Sequence, residues 1–445
     1  MPRPDLFVTL AAMRHATTVR LPRFGERAGR RRLVLCAAAG CVVAAAIAVS
    51  VDRSVFSSGS PSRPELQQIL DRLVVGRGRV APGVTAFVSG PRGTWSGAAG
   101  LSIVKTGKAM WPSAPMHLDS QTKTWVATVI LQLVGERRMR LGDTVERGLP
   151  GLLPYGKRIT VRELLDHASG IVDQSTFDTN VLRFIQRVHN SGLRSELVRF
   201  WQRLATDPTA KIPANTALSF IGTLPLLWKP GEEFHYSNIG YEIAGLIAAK
   251  AGGAPLGSLI AQGISRPLGL TSAAYVPGGE VGASHPQDYA VESDGTMRDA
   301  TDWYRADEGA SGAMIANARD DARFLTSLMR GQLLPPAELT AMRTPSAANP
   351  GYGLGIGIIT TDCRLTAYEH GGASYSTTSA ALVSSDGKRV AVVLLNGNIS
   401  QGHSPGTRSS DAAFAAAKRC SAPHSAAAAV LRACPAVMRR VGEGR

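Results

Sequence analysis

The sequence predicts an α/β (α+β) fold in which strands from the two ends of the chain close one antiparallel sheet against a block of intervening helices. Three observations predict it. A helix and two strands open the globular part, a long stretch of helical periodicity follows, and two or three strands with a closing helix end it. A sheet divided in this way must be assembled from both ends, and the helices between must form their own layer.

The elements follow in order. Ser62-Arg63-Pro64-Glu65 has the form of a helix-start capping box. Leu66, Ile69, Leu70, Leu73 and Val74 then repeat on one helical face. Residues 83–88 and 95–101 read as strands around the turn Gly90-Pro91-Arg92-Gly93. A strongly apolar helix runs from about residue 120 to 134, and another starts near Thr160. Residues 239–251 are a fourth helical run. Near the end, 379–383 and 389–396 form a hairpin around Ser385-Asp386-Gly387-Lys388, and 411–418 closes as a helix.

The chain of 445 residues carries a formal net charge of +15. Residues 1–32 hold eight arginines against Asp5 and Glu26, and residues 418–445 hold six basic residues against Glu443. Nucleic-acid surfaces gather their charge on a folded face or helix. Here the excess sits at the two ends, and no nucleic acid is expected as a partner.

Five segments follow from composition: a basic n-region (1–32), an apolar run (33–51), a Ser-rich linker (52–63), a globular domain (64–420) and an Ala-rich basic tail (421–445). The run is 19 residues long and follows Arg30, Arg31 and Arg32 directly. It is either a membrane anchor, long enough to span the hydrocarbon core, or an export signal cleaved after Ala46-Ile47-Ala48. Both place the body outside the cytoplasm, secreted or held on the outer membrane face. Cys36 and Cys41 lie in that run, leaving Cys363, Cys420 and Cys434. No Cys-x-x-Cys or His-Glu-x-x-His spacing occurs, so neither a metal nor a cofactor is expected.

Ser120-Gln121-Thr122-Lys123 opens the apolar helix. Residues three apart on a helix share a face, which makes the Ser120 hydroxyl and the Lys123 amine neighbours. A serine hydroxyl needs a base to become a nucleophile, and a buried lysine amine can be that base. Ser385 and Lys388 repeat the spacing, but in a hairpin turn with no helix to unite them. Downstream, Tyr236-Ser237-Asn238 follows a Pro230-Gly231-Glu232 turn. It offers a phenol to relay protons and an amide to hold a substrate. His370-Gly371-Gly372-Ala373 enters the last strands, its glycines admitting a close backbone.

These boxes, in this order, resemble the serine β-lactamase, penicillin-binding protein and D-alanyl-D-alanine carboxypeptidase superfamily, its class C-like branch above all, over about residues 64–420. Leu141-Gly142-Asp143-Thr144-Val145, Leu164-Leu165-Asp166-His167-Ala168-Ser169-Gly170-Ile171, Ser311-Gly312-Ala313-Met314 and Tyr352-Gly353-Leu354-Gly355 look like further landmarks. The resemblance implies a β-lactamase/transpeptidase-like architecture, an antiparallel sheet flanked by helices plus an all-helical subdomain, with the active site in the cleft between. It implies that Ser120 is acylated, Lys123 assists as base, Tyr236 is the second proton-transfer group and Asn238 anchors substrate. His370 stands where a lysine is more usual. Gly371, Gly372 and Ala373 line the substrate, and the N–H groups of Ser120 and Ala373 form an oxyanion hole.

By the same resemblance, Lys105-Thr106-Gly107 imitates the third box but precedes the nucleophile, and Cys363 pairs with Cys420. The implied protein is a monomeric serine hydrolase working through an acyl-enzyme, a DD-peptidase or D-alanyl-D-alanine carboxypeptidase-like enzyme acting on cell-wall peptides, with peptidoglycan among its expected partners. The alternatives are an esterase or β-lactamase using the same residues on a small ester or β-lactam, and a non-catalytic, membrane-tethered binding protein on the same fold. Three features depart from the pattern. No arginine lies between residues 354 and 359 and no hydroxyl follows the third box, the two groups that would bind a terminal carboxylate. Asp119 places a charge beside the nucleophile. The 174–223 segment is long and aromatic enough for a lid or outer wall.

Overall fold

The computed structural model describes residues 63–400, apart from 75–80, 92, 173–224, 279–280, 283, 293–294, 303–308 and 361–365. The n-region, the apolar run, the linker, the 174–223 segment, the Cys363–Cys420 pair, the 411–418 helix and the basic tail therefore lie outside the described residues. So does Ser62 of the first capping box.

The strands are β1 (Gly83–Gly90), β2 (Gly93–Ile103), β3 (Lys108–Ala109), β4 (Met116–His117), β5 (Ala274–Tyr275), β6 (Tyr289–Glu292), β7 (Met297–Asp299), β8 (Met314–Ala316), β9 (Gly357–Thr360), β10 (Thr366–Ala373), β11 (Thr378–Ser384), β12 (Val390–Leu395) and β13 (Gly397–Ser400). The principal helices are α1 (Arg63–Val74), α2 (Thr122–Gly135), α3 (Val161–Leu165), α4 (Asn238–Gly252), α5 (Ala318–Met329) and α6 (Pro336–Arg343).

The expected split sheet forms. Its seven strands run in the order β3-β2-β1-β12-β11-β10-β9, all antiparallel, and β1 from the first hairpin pairs with β12 from the last, Val84 opposite Leu395. The C-terminal half supplies four of these strands, because β9 adds an edge that the short run 357–360 does not announce. Two small three-stranded sheets, β4-β8-β5 and β13-β6-β7, tie the helical layer and the loops to the main sheet.

Strand alternation divides the core. Val84, Ala86, Val393 and Leu395 face α1, against Leu70, Leu73 and Val74. Phe87, Val392 and Leu394 face the opposite way, into the large core shared with α2, α4 and α5. A helix apolar all round belongs at the centre of a protein, and α2 is buried along nearly its whole length. Its polar residues are satisfied. The Thr122 hydroxyl accepts from the Met314 N–H at 2.9 Å, and the Thr124 hydroxyl donates to the Gly355 carbonyl at 2.7 Å. Gly355 has φ +75°, and a Cβ there would press on Ala127 and the Tyr241 hydroxyl, so the Tyr352–Gly355 landmark is a close approach to α2. The helix near Thr160 starts as expected, on a Thr160/Glu163 capping box.

Trp125 of α2 stacks on Phe324 of α5 at 3.9 Å, and its indole N–H donates to buried Asp321 at 3.4 Å. Burial pushes the Asp321 carboxyl up to about 7. The folded state therefore holds this proton more tightly than the unfolded chain, and stability falls as pH rises from about 4 to about 7. Asp321→Asn is expected to stabilise the protein above pH 7 by up to about 4 kcal/mol and to do little near pH 3. Thermal melts across that range check it.

Candidate active site

The site forms where the turn before α2 meets the inner end of β10. The Leu118 N–H donates to Met314 at 2.8 Å, and the Leu118 carbonyl accepts from the Ser379 hydroxyl at 2.6 Å, which clamps the chain just ahead of Ser120. Asp119 adopts a left-handed φ of +49°, a conformation aspartate tolerates better than most residues. Its carboxylate is buried and accepts from the Thr377 hydroxyl at 2.8 and 3.1 Å, so the charge is engaged by the β10–β11 turn.

The first turn differs from the expected α-helix: Asp119–Gln121 is a 3₁₀ turn that passes into α2 at Thr122. Tighter winding brings residues i and i+3 closer to eclipse. Lys123 Nζ lies 3.0 Å from Ser120 Oγ.

Lys123 is fully buried. Its amine also donates to Asn238 Oδ1 at 2.8 Å and to the Ser311 carbonyl at 2.9 Å. Both partners only accept, so each takes an N–H. The remaining position of the tetrahedral nitrogen is directed at Ser120 Oγ. On a neutral amine that position is a lone pair, which can receive the serine proton. On an ammonium it is an N–H, which can return a proton to a leaving group.

Asn238 is the first residue of α4, and the Ser237 hydroxyl caps that helix by accepting from the Gly240 N–H at 2.9 Å. Lys123 Nζ stands 4.7 Å from the centroid of the Tyr236 ring. Ser120, Lys123, Tyr236 and Asn238 are thus brought together from two separate stretches of sequence.

The third box arrives on β10. A Cβ on Gly372 would overlap the Leu118 carbonyl and lie 2.8 Å from the Ser120 backbone nitrogen, so only glycine lets β10 run beside the Ser120 turn. β9 pairs with β10 only from Thr366 to Glu369, which leaves His370, Gly371, Gly372 and Ala373 beyond its reach on that edge.

His370 is buried on the same strand. Its Nδ1 lies 2.6 Å from the Gly371 carbonyl, which assigns the proton there, and its Nε2 accepts from the Tyr352 hydroxyl at 3.0 Å. Burial, and then the nearby Lys123, lower its pKa to about 3. His370 is therefore a neutral group that orients Tyr352. Its imidazole resonances are expected not to titrate between pH 5 and pH 8, where an ordinary histidine does. A transition near pH 6.5 in an NMR titration would contradict this.

Three further residues shape the site without having been assigned a role from sequence. The His167 ring packs 4.2 Å from that of Tyr236, and its Nδ1 accepts the Ser237 N–H at 3.0 Å, which fixes the Tyr236–Asn238 stretch. Burial holds His167 well below its ordinary pKa. Tyr352 is the partner of His370. Glu242, one turn into α4, accepts the backbone N–H groups of Gly309, Ala310 and Ser311 at 3.1, 3.0 and 2.9 Å. It thereby holds the loop whose Ser311 carbonyl binds Lys123. Burial raises the Glu242 pKa, against those hydrogen bonds and the Lys123 charge. The two imitation motifs stay apart: Lys105-Thr106-Gly107 is the turn between β2 and β3, and Ser385 and Lys388 sit in the β11–β12 turn.

The chain is 25% identical over 248 residues to the putative penicillin-binding protein PbpX of Bacillus subtilis (strain 168), covering 55% of this chain and 54% of that protein. It is 24% identical over 265 residues to a putative D-alanyl-D-alanine carboxypeptidase of Escherichia coli (strain K12), covering 54% of this chain and 57% of that protein. It thus spans little more than half the length of these two curated relatives. Among solved structures, the D-stereospecific amidohydrolase from Streptomyces sp. superposes with a TM-score of 0.62 at 28% identity, over 76% of this chain and 94% of that one. The Beta-lactamase family model matches residues 68–416, most of the chain. With this sheet, this helical layer and this match, the chain belongs to the Beta-lactamase family of serine hydrolases.

Proposed function

We propose that this chain hydrolyses amide bonds next to D-configured residues, by DD-peptidase-type chemistry, on cell-wall peptides outside the cytoplasm. The observation that carries the reading is the Lys123 amine, held by two obligate acceptors so that its remaining position meets Ser120 Oγ.

In this reading Lys123 takes the hydroxyl proton as Ser120 Oγ attacks the scissile carbonyl. The backbone N–H groups of Ser120 and Ala373 receive the developing oxyanion. Tyr236 passes the proton to the leaving amine, the C–N bond breaks, and an ester on Ser120 remains. Water then attacks that ester, gives its proton back through the same groups, and frees the acid and Ser120. Asn238 keeps Lys123 in place and offers its amide N–H to the acyl group. The substrate backbone lies along residues 370–373, an open strand edge that an extended peptide can extend. Similarity to the Streptomyces amidohydrolase supports the D-configuration. Arg30–Arg32 followed by the apolar run 33–51 supports export.

A second reading has a specific observation behind it. The strand after Tyr352 carries no arginine, and Ala373 follows the third box. An arginine there and a hydroxyl in place of Ala373 would have bound a terminal carboxylate, so an amidase or esterase that ignores the chain terminus uses the same residues equally well. β-Lactam hydrolysis is the variant in which water must reach an otherwise stable acyl-enzyme. The test compares an N-acyl-D-alanyl-D-alanine peptide with its C-terminal amide and with its L,L isomer. Hydrolysis of both D-peptides within about 10-fold of each other is expected, since a lost charged hydrogen bond is worth about 1.5–3 kcal/mol. The L,L peptide should be inert. Cleavage of simple esters alone would replace the proposal with the esterase reading.

A further inference from the structure

We propose that His117, His285 and Asp288 form a binding site for a divalent transition-metal ion of the zinc class, separate from the catalytic groups. His117 ends β4, three residues ahead of Ser120, while His285 and Asp288 lie in the turn leading into β6. One ligand atom from each comes within 4.8 Å of the others. The donor set, two imidazoles and a carboxylate, suits zinc and its neighbours rather than calcium or magnesium.

The spacing favours an ion over direct pairing. His117 Nε2 and Asp288 Oδ2 stand 3.7 Å apart. A charge-assisted hydrogen bond would close to about 2.8 Å, whereas two ligands about 2.1 Å from a tetrahedral ion are roughly 3.4 Å apart. The two histidine rings meet edge-on, with centroids 5.0 Å apart and planes at 64°, so their nitrogens can converge without stacking.

The surroundings behave as a support shell. His285 Nδ1 lies 2.5 Å from the Pro286 carbonyl, which assigns its proton there and makes Nε2 the ring nitrogen that carries the lone pair, the tautomer a metal ligand needs. The backbone of Asp288 is held on both sides: its N–H donates to the Thr301 hydroxyl at 3.1 Å, and its carbonyl accepts from Ala300 at 2.8 Å. His117 is held by β4–β8 pairing opposite Ile315. Asp288 is fully buried and His117 nearly so, and a bound cation offsets the cost of burying that carboxylate. His285 is half-buried as a residue, but its Nε2 atom is itself shielded from solvent, like the donor atoms of His117. The ion would fasten the β6 turn to the strand that presents the nucleophile, a structural role.

The test uses the full chain, expressed without an added histidine tag, stripped with a chelator and titrated with Zn²⁺ or Co²⁺ alone. One equivalent retained through gel filtration is expected, with a melting temperature several degrees higher and visible absorption from bound Co²⁺. All three should be lost in Asp288→Asn and in His285→Gln. The second variant alters a half-buried ring and decides the question if the first fails to fold. Wild-type protein that retains no metal, or variants that retain as much as wild type, would overturn the proposal. None of these readouts depends on turnover, so the result stands whichever substrate is correct.

Discussion

Lys123→Met is expected to lower kcat/KM by about 10³- to 10⁴-fold, the range in which a general base contributes. Methionine fills a similar volume but offers nothing to the Ser120 hydroxyl. The loss should fall on acylation, because that step needs the serine proton removed. Rapid-mixing measurement of acyl-enzyme formation separates it from weaker binding, and a thermal melt establishes that the variant is folded. Asn238 Oδ1 and the Ser311 carbonyl lose their N–H donor, so some stability is lost as well. Acylation within about 10-fold of wild type would mean that another group removes the proton, with Tyr236 the next candidate.

Glu242→Ala should cost both stability and turnover. Three backbone N–H groups converge on this buried carboxylate, and removing it leaves them without an acceptor while taking a negative charge from the neighbourhood of Lys123. Breaking such a buried charged network costs about 3–5 kcal/mol, a fall in melting temperature of roughly 10 °C. The 309–311 loop then no longer fixes the Ser311 carbonyl, and displacement of a catalytic group by about 1 Å costs around 10²-fold in rate. A melt paired with steady-state kinetics distinguishes the two effects. A lower melting temperature with unchanged kcat would show that Glu242 serves the fold alone, and that Asn238 suffices to hold Lys123.

Much of this arrangement could be read in advance, for a physical reason. Ser120 and Lys123 are close in sequence, and the period of a helix says what they share. Tyr236-Ser237-Asn238 is a helix start whose cap is visible in the residue types, and Gly372 marks a close approach that a Cβ would prevent. The split sheet follows from strand signals at the two ends of the domain. What stayed hidden depends on partners far apart in the chain. Glu242 sits in an apolar helical run, where its spacing gives no hint of the loop it will bind. The Ser311 contact uses a backbone carbonyl, which every residue has. The pairing of His370 with Tyr352 needs the β9–β10 geometry, and the grouping of His117 with His285 and Asp288 needs β4 and the β6 turn to meet. Local periodicity reports which face a side chain occupies, and only the assembled fold reports what it meets there.

The central claim is that Ser120 carries the acyl group. The most direct measurement is the intact mass of the purified protein after reaction with a fluorescent phosphonate and with a fluorescent penicillin, wild type beside Ser120→Ala, followed by peptide mapping. The account predicts one added group per chain, located on the peptide containing Ser120 and absent from the variant. Labelling that persists in Ser120→Ala, or maps to another residue, would contradict it.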